Sequence, residues 1–281
     1  MVSGTTEFID VTTADVYLEE KWSQEATIAR MKKIVIADFF RDPTFEGELK
    51  KGQILHIGNI TQPTATAKVA NTAISYETVT ETEVFITINS YYYSAIALED
   101  VVKPMLSMNI ADKYRPGLIY ALTLQEDSDV AALIDDGGIT QTVGTLATGL
   151  SYDNLIRADQ YLNDADVPQE DRAIFISPAE KANFLKMDQF IHKDYSDLRN
   201  GLVGSWLGTY PIIVTTNTNG DNTNGHDSFM GHKECIAHVS QLKPAVRAWW
   251  DGDYQCVKMS ALTTYGSKLR RATHGVWLKG A

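Results

Sequence analysis

The sequence predicts a protein of the α+β class, and three patterns along the chain indicate it. Residues 84–89 alternate between Val or Ile and other side chains, with the period of two that is typical of a half-buried strand. Apolar or aromatic residues recur every four positions from Ile110 to Leu122, as on one face of a helix. After Gly138, short apolar runs alternate with helical segments, which indicates a compact α/β unit.

Composition excludes several classes of protein. The 281 residues include 13 Tyr, 9 Phe and 5 Trp, too many aromatic side chains for a disordered chain. The 25 Lys and Arg against 36 Asp and Glu give a net charge of −11, whereas a general nucleic-acid binder needs a basic face. No apolar stretch approaches the roughly 20 residues of a membrane span, and the first residues lack the features of a secretory signal. Cys235 and Cys256 are too few for a disulfide framework, so we expect two reduced thiols.

The first 90 residues predict an arm followed by a projecting hairpin. Residues 1–20 read as an extended arm, and a short helix is predicted over residues 15–31 before Pro43 interrupts the chain. Residues 46–88 are rich in strand-forming residues but have a polar middle and few large apolar side chains. Because such a segment cannot build its own core, it is expected to form a long hairpin that projects from the body.

A long helix is predicted over residues 109–134, which would make it on the order of 39 Å long. Pro116 lies inside this pattern, so either the main helix restarts there with Pro near its first position, or it is kinked. Gly137 and Gly138 are expected to end it.

Beyond this helix, local signals predict alternating helices and strands. A helix is predicted over residues 151–162, followed by a buried strand at 173–176. Ser177 and the three residues after it supply an N-cap, a Pro at the first helical position and a Glu at the third, which is a strong helix start. A second buried strand is predicted at 212–214.

Turn-forming residues predict the connections in the last third of the chain. Residues 217–225 are almost entirely Asn, Thr, Asp and Gly and are predicted to form an exposed loop. Asp251-Gly252 predicts a hairpin turn between strands at 246–250 and 254–259.

Charge is unevenly distributed along the chain. Residues 1–20 carry five acids and no Lys or Arg, whereas residues 254–281 carry five Lys or Arg and no acid. Two interpretations remain open: unrelated solvated surfaces, or an acidic arm of one subunit that meets a basic region of another. Eight acids against three bases between Glu99 and Asp136 predict a negative face there. The pairs Glu126-Asp127 and Asp135-Asp136 could form a carboxylate site, but a solvated helix face is the favoured interpretation.

The motifs of common enzymes are missing from the sequence. It contains no Gly-Lys-Ser or Gly-Lys-Thr phosphate loop, no His-Glu-x-x-His and no Gly-x-Ser-x-Gly. His226, His232 and His238 are six residues apart, which suits neither one helix face nor a compact metal site. The sequence therefore predicts a protein that is not an enzyme and that uses no metal or cofactor.

The order of these elements resembles that of the tailed-bacteriophage major capsid proteins of the Hong Kong 97 type. Residues 48–52 (Glu-Leu-Lys-Lys-Gly) resemble the start of the extended loop of that family. Residues 174–178 (Ile-Phe-Ile-Ser-Pro) and the glycine-rich residues 201–208 resemble its axial domain, and Tyr265-Gly266 its closing strands. Each motif is weak alone, and the ordered set covers nearly the whole chain.

The resemblance implies a domain organisation. Residues 1–40 would be the N-terminal arm and residues 46–88 the extended loop. The peripheral domain with its spine helix would comprise 89–138 and 243–266, and the axial α/β domain 139–242 and 267–281.

The resemblance also implies a function and partners. The chain would assemble as hexamers and pentamers into an icosahedral head around double-stranded DNA, without sequence-specific binding and without a membrane, in the host cytoplasm. Expected partners are a portal, a separate scaffolding protein and a decoration or cement protein. The candidate inter-subunit contact residues are Glu7, Asp10, Asp15, Glu19, Glu20, Lys50, Lys51, Lys68, Lys268, Arg270 and Arg271. The alternatives are an encapsulin-like cellular nanocompartment and, more remotely, a soluble α/β hydrolase.

Overall fold

The computed structural model describes most of the chain from residue 34 to the C-terminus. The described residues are 34–48, 52–59, 63–78, 81–100, 110–135, 138–187, 205–206, 210–221 and 223–281. The helix predicted over residues 15–31 and the glycine-rich residues 201–204 and 208 lie outside them.

Five α-helices and twelve strands lie in the described ranges. The helices are α1 Ile36–Phe40, α2 Pro43–Glu48, α3 Ile110–Asp135, α4 Tyr152–Asp164 and α5 Pro178–Phe184. The strands are β1 Ile54–Asn59, β2 Thr82–Thr87, β3 Ser90–Glu99, β4 Gln141–Gly144, β5 Arg172–Ile176, β6 Ser205–Trp206, β7 Tyr210–Val214, β8 Gly220–Asp221, β9 Gly225–His232, β10 Ile236–Asp251, β11 Cys256–Leu269 and β12 Gly275–Lys279. None of the helices described has the length and hydropathy of a bilayer span.

The strands form three sheets. The pair β1–β2 stands apart as an antiparallel hairpin, and the order β10-β11-β3 makes a small antiparallel sheet. A larger mixed sheet has the order β4-β12-β9-β5-β7-β6, in which β12 is parallel to β4 and β5 is parallel to β7. Because β10 and β11 are 16 and 14 residues long, they reach from the 3-10 turns beside the larger sheet to the far end of the small one.

The helix α3 joins the two larger sheets. Its first half packs Leu118 and Leu122 against Met259 and Ala261 of the small sheet. Its second half packs with α1 and with β5 and β9 of the larger sheet, in a cluster that includes Val130, Ala131, Ile134, Phe40, Phe175 and Phe229. The helix runs without a break through Pro116, so the predicted alternative of a restart there is wrong. Proline in the second turn removes one backbone hydrogen bond, and the packing of the remaining turns outweighs that loss.

Local signals in the larger sheet are confirmed. The strand β5 is buried at every position, and the Oγ of Ser177 accepts a hydrogen bond from the backbone N–H of Glu180 at the start of α5. Ser151 caps α4 in the same way through the N–H of Asn154. The β10–β11 hairpin is also confirmed, but its loop comprises residues 252–255, since Asp251 still belongs to β10 and pairs with Cys256.

The predicted exposed loop at 217–225 is wrong at its start. Asn217 and Thr218 are buried, and only the residues after them lie at the surface or pair with β9. The reason is that the side chain of Asn217 makes hydrogen bonds with α3, which draws the beginning of the loop into the interior.

The hairpin extends from the body, as predicted. Its strands pair from Ile54 opposite Thr87 to Asn59 opposite Thr82, and residues 63–78 beyond them are exposed throughout and form no helix or strand. Only the base is anchored, because Ile86 is fully buried against Ala237 and Val239. At the same junction Gly266 of β11 comes so close to the hairpin that a Cβ there would lie 2.5 Å from the carbonyl oxygen of Thr87.

Gly266→Ala is therefore expected to weaken the junction between hairpin and body. The added methyl group forces backbone to shift, and overpacking of this kind costs about 2 kcal/mol of free energy of unfolding. Urea denaturation measures this difference. Gly58→Ala is the matched control, since a Cβ on Gly58 meets no heavy atom within 4 Å. Equal free energies of unfolding for the two variants would contradict the close approach at Gly266.

Candidate assembly site

Two adjacent carboxylates of α3 lie in the interior of the subunit. Glu126 is 1% exposed and Asp127 is fully buried. The favoured interpretation of this pair as a solvated helix face is therefore wrong. The physical reason is that α1 and the loop after β7 cover the side of α3 that its own sequence pattern leaves polar.

Glu126 connects α3 to β10 and to the residue that ends α1. Its Oε1 lies 2.8 Å from Nε2 of His238 and 3.1 Å from Nη2 of Arg41. The other ring nitrogen of His238 lies 2.8 Å from Oγ of Ser267 on β11. Burial opposes the ionisation of Glu126, but the hydrogen bond and charge of His238, together with Arg41, hold the pKa of Glu126 below its usual value.

Asp127 connects α3 to the start of α1 and to the loop that follows β7. Its Oδ1 accepts a 2.7 Å hydrogen bond from the backbone N–H of Ala37, in the first turn of α1. Its Oδ2 accepts a 2.7 Å hydrogen bond from Nδ2 of Asn217, whose Oδ1 accepts one from Ser128. The residue before α1, Val35, provides no side-chain cap, so the carboxylate of Asp127 takes that role from another helix.

The acids of α3 do not form the predicted negative face where the structure describes their side chains. Besides the buried pair, Asp129 accepts a 2.6 Å hydrogen bond from the hydroxyl of Tyr265 on β11. Burial, followed by this contact, raises the pKa of Tyr265. The side chain of Asp135 and all of Asp136 lie outside the described residues, so the second carboxylate pair remains a prediction.

The hairpin tip exposes apolar side chains. Ile74 is 62% exposed and Tyr76 is 92% exposed, and Val69 nearby is also exposed. Lys68, a predicted contact residue, lies in this tip. A polar loop of a monomer has no reason to present these side chains to water, so the tip has the surface of a contact element.

On the face of the small sheet away from α3, the described part of the chain has exposed aromatic side chains. Ile96, Val246 and Met259 point to the helix, whereas Tyr91, Tyr93 and Trp249 occupy alternate positions on the other face and are exposed. Three large aromatic side chains on one open face form a second candidate contact surface.

Two of the predicted basic contact residues, Lys268 and Arg270, lie at the base of the hairpin. Nζ of Lys268 is 3.8 Å from the ring centre of Phe85, and the guanidinium carbon of Arg270 is 5.5 Å from that of Phe45. Arg271 pairs with Glu234 at 3.5 Å. The acidic arm residues and Lys50 and Lys51 lie outside the described residues, so their contact with the basic residues remains a prediction.

Three histidines (His232, His238 and His274) and both cysteines are buried within the subunit. His238 belongs to the buried network of Glu126, and the rings of His232 and His274 are 6.1 Å apart. Burial raises the pKa of Cys235 to about 12, which makes its thiol a poor nucleophile. No group of three or more His, Cys, Asp or Glu in the described part of the chain could hold a metal ion.

The long helix along a small sheet, the coreless hairpin and the larger mixed sheet together define the class of shell subunits of the Hong Kong 97 type. A family model described as phage capsid protein matches residues 48–270. The chain belongs to the phage capsid protein family. No curated protein sequence matches it.

Solved structures agree with this class. A structure from Mycobacterium phage Che8 has a TM-score of 0.81 at 23% identity, over 94% of this chain and 97% of that chain. The capsid structure of the cyanophage P-SCSP1u has a TM-score of 0.78 at 16% identity, over 96% of this chain and 94% of that chain. The capsid of a native GTA particle has a TM-score of 0.70 at 11% identity, over 99% of this chain and 100% of that chain. These similarities establish the fold.

The protein is accordingly a major capsid protein, a structural component from which the shell of a phage virion is built by self-assembly into capsomers. The predicted Hong Kong 97-type fold and capsid function are confirmed, and the encapsulin-like alternative is not favoured.

Glu126→Gln is expected to lower the free energy of unfolding by about 2 kcal/mol at neutral pH, because it removes the buried carboxylate that accepts a charge-assisted hydrogen bond from Arg41 and that contacts His238. Arg41 keeps Glu46 as a second partner at 3.1 Å. Since the pKa of Glu126 is lowered in the folded protein, its contribution is present above the ordinary value of 4.5 and is lost as the pH falls through the lower, folded pKa. The difference between wild type and variant should therefore narrow below pH 4.5. Denaturation titrations at several pH values measure it.

Asp38→Asn is the control for this experiment. Asp38 also lies near Arg41, with 3.6 Å between Oδ1 and Nη1, but its side chain is 80% exposed. Its removal is expected to change the free energy of unfolding by less than about 0.5 kcal/mol. A Glu126→Gln effect as small as that of the control, or one that stays constant down to about pH 3, would contradict the role given to the buried pair.

Proposed function

We propose that this major capsid protein assembles as hexamers and pentamers into an icosahedral head that encloses double-stranded DNA. The observation that carries the proposal is the tip of the hairpin, residues 63–78, which is exposed throughout and presents Val69, Ile74 and Tyr76 to solvent. Assembly takes place in the host cytoplasm, and a portal, a separate scaffolding protein and a decoration or cement protein complete the head.

The energetics of the hairpin support a contact between copies. A two-stranded hairpin alone is marginally stable, and only the base of this one is buried on its own body. Fixing the tip in one conformation costs conformational entropy that its own contacts do not offset. Burial of the tip on a neighbouring copy would supply the missing apolar contact, and many such modest contacts give a closed shell its stability.

The charge of the subunit fits a container for DNA. The net charge of −11 disfavours tight non-specific binding to phosphates, so packaged DNA would slide along the inner surface. The role is structural and non-enzymatic, without a cofactor. The acidic arm residues Glu7, Asp10, Asp15, Glu19 and Glu20 are proposed to meet basic residues of a neighbouring copy.

Ile74→Asp tests the hairpin contact. Because Ile74 is exposed in the subunit, its free energy of unfolding should change by less than about 0.5 kcal/mol. An unpaired carboxylate buried between copies costs well over about 1.4 kcal/mol per contact, so the yield of closed particles should fall at least about tenfold. Sedimentation and negative-stain microscopy of particles from expressing cells measure this yield.

Ile156→Asp is the matched control. Ile156 lies on α4, away from the hairpin, and is 47% exposed, so the same change in charge and polarity falls on another surface. We expect particles at wild-type yield. Normal particles from Ile74→Asp, or a compact monomer from the wild-type chain under all assembly conditions, would overturn the proposed function.

A further inference from the structure

The base of the hairpin is held on both faces of one strand. On one face of β2, Ile86 is fully buried against Ala237 and Val239 of β10. On the other face, Phe85 remains partly exposed and lies beside Lys268. The hairpin therefore meets the body through one apolar contact and one contact between a cation and an aromatic ring.

Gly266 and Lys268 of β11, and Arg270 just beyond its end, touch the segments that form this base. A Cβ on Gly266 would lie 2.5 Å from the carbonyl oxygen of Thr87, Nζ of Lys268 lies 3.8 Å from the ring centre of Phe85, and Arg270 lies over Phe45 of α2. Gly266 and Lys268 are alternate residues of β11 and therefore face the same side of the strand, and Arg270 follows directly after its last residue. Phe45 packs against the same apolar cluster as Ile86.

The side chains of Lys268 and Arg270 each lie over an aromatic ring. Within the described ranges, neither Lys268 nor Arg270 has a carboxylate within the 4.0 Å that defines an ion pair. A cation over a ring is attracted by the negative face of the ring, and its preferred position above that face gives the contact a direction that apolar burial lacks.

We infer that Gly266, Lys268 and Arg270 form a guide that fixes the direction in which the hairpin leaves the body. These are positioning residues, and the inference rests on the proposed contact between the tip and a neighbouring copy. Strands of six residues carry the tip about 20 Å from the base, so a rotation of about ten degrees moves it by about 3.5 Å, roughly one atomic contact. The guide thus sets the geometry with which successive copies meet.

The test replaces Lys268 and compares the effect with that of replacing Lys279, which also lies over an aromatic ring. Lys268→Met removes the charge but keeps an unbranched stem, and Lys268→Arg restores a cation above the ring. Lys279→Met is the matched control, because Nζ of Lys279 lies 4.1 Å from the ring centre of Trp277 in β12, away from the hairpin. Hydrogen exchange of the amides in β1 and β2 measures how stably the hairpin is attached to the body. Electron microscopy gives the distribution of particle diameters.

We expect the amides of β1 and β2 to exchange about threefold faster in Lys268→Met than in wild type, as the loss of one exposed cation–ring contact requires. Its particles should have a broader distribution of diameters than those of wild type. Lys268→Arg should restore both properties, and Lys279→Met should leave both unchanged.

Two results would overturn the inference: wild-type exchange in β1 and β2 of Lys268→Met, or particles of that variant with the wild-type distribution of diameters. A failure of the proposed function is distinguishable from both. If the wild-type chain formed no closed particles, the assembly proposal would fall, while hydrogen exchange in the soluble protein would still decide whether Lys268 holds the hairpin.

Discussion

The buried carboxylates of Glu126 and Asp127 are the constraint on which the rest of the subunit depends. Removing two adjacent carboxylates from water costs several kcal/mol unless their oxygens are paired or hydrogen-bonded. Here Glu126 contacts His238 and Arg41, and Asp127 accepts hydrogen bonds from Ala37 and Asn217. The partners come from β10, α1 and the loop after β7, so satisfying the two charges fixes three segments around α3 at once. Apolar packing alone would allow α3 to shift slightly along its axis relative to its neighbours, whereas these directional hydrogen bonds fix its position.

The division between a fixed body and a projecting hairpin follows from this constraint. Every contact of the buried pair lies within one subunit, and so does the cluster of aromatic rings that packs Phe40 against Phe175 and Phe229. These contacts therefore stabilise the body of the subunit. Among the described residues, the hairpin contributes to the core through Ile86 and its neighbours.

Structural features that depend on neighbouring residues could be predicted from the sequence, whereas contacts between segments far apart in the chain could not. The helix start at Ser177, the long helix α3 and the strand β2 each depend on residues a few positions apart, and they form as expected. Glu126 and Asp127 looked like a solvated face because their partners Ala37, Asn217 and His238 are between 90 and 112 residues away. Asn217 gave no signal within its Asn- and Thr-rich loop, and only the apolar residues around His238 hinted that it would be buried.

A shell subunit needs apolar surface that gives large contact area, and it also needs contacts weak enough to be reversed. In this chain the two kinds of surface lie on different elements. Tyr91, Tyr93 and Trp249 lie on a hydrogen-bonded sheet, where the backbone is already fixed and covering the side chains costs little further entropy. Ile74 and Tyr76 lie on a hairpin tip, where covering them also requires fixing the backbone, so that contact is weaker for the same area. Weak contacts let a misplaced subunit dissociate, and their number holds a correct shell together. If both surfaces are covered in the shell as proposed, the aromatic face would supply buried area and the coreless tip would supply reversibility.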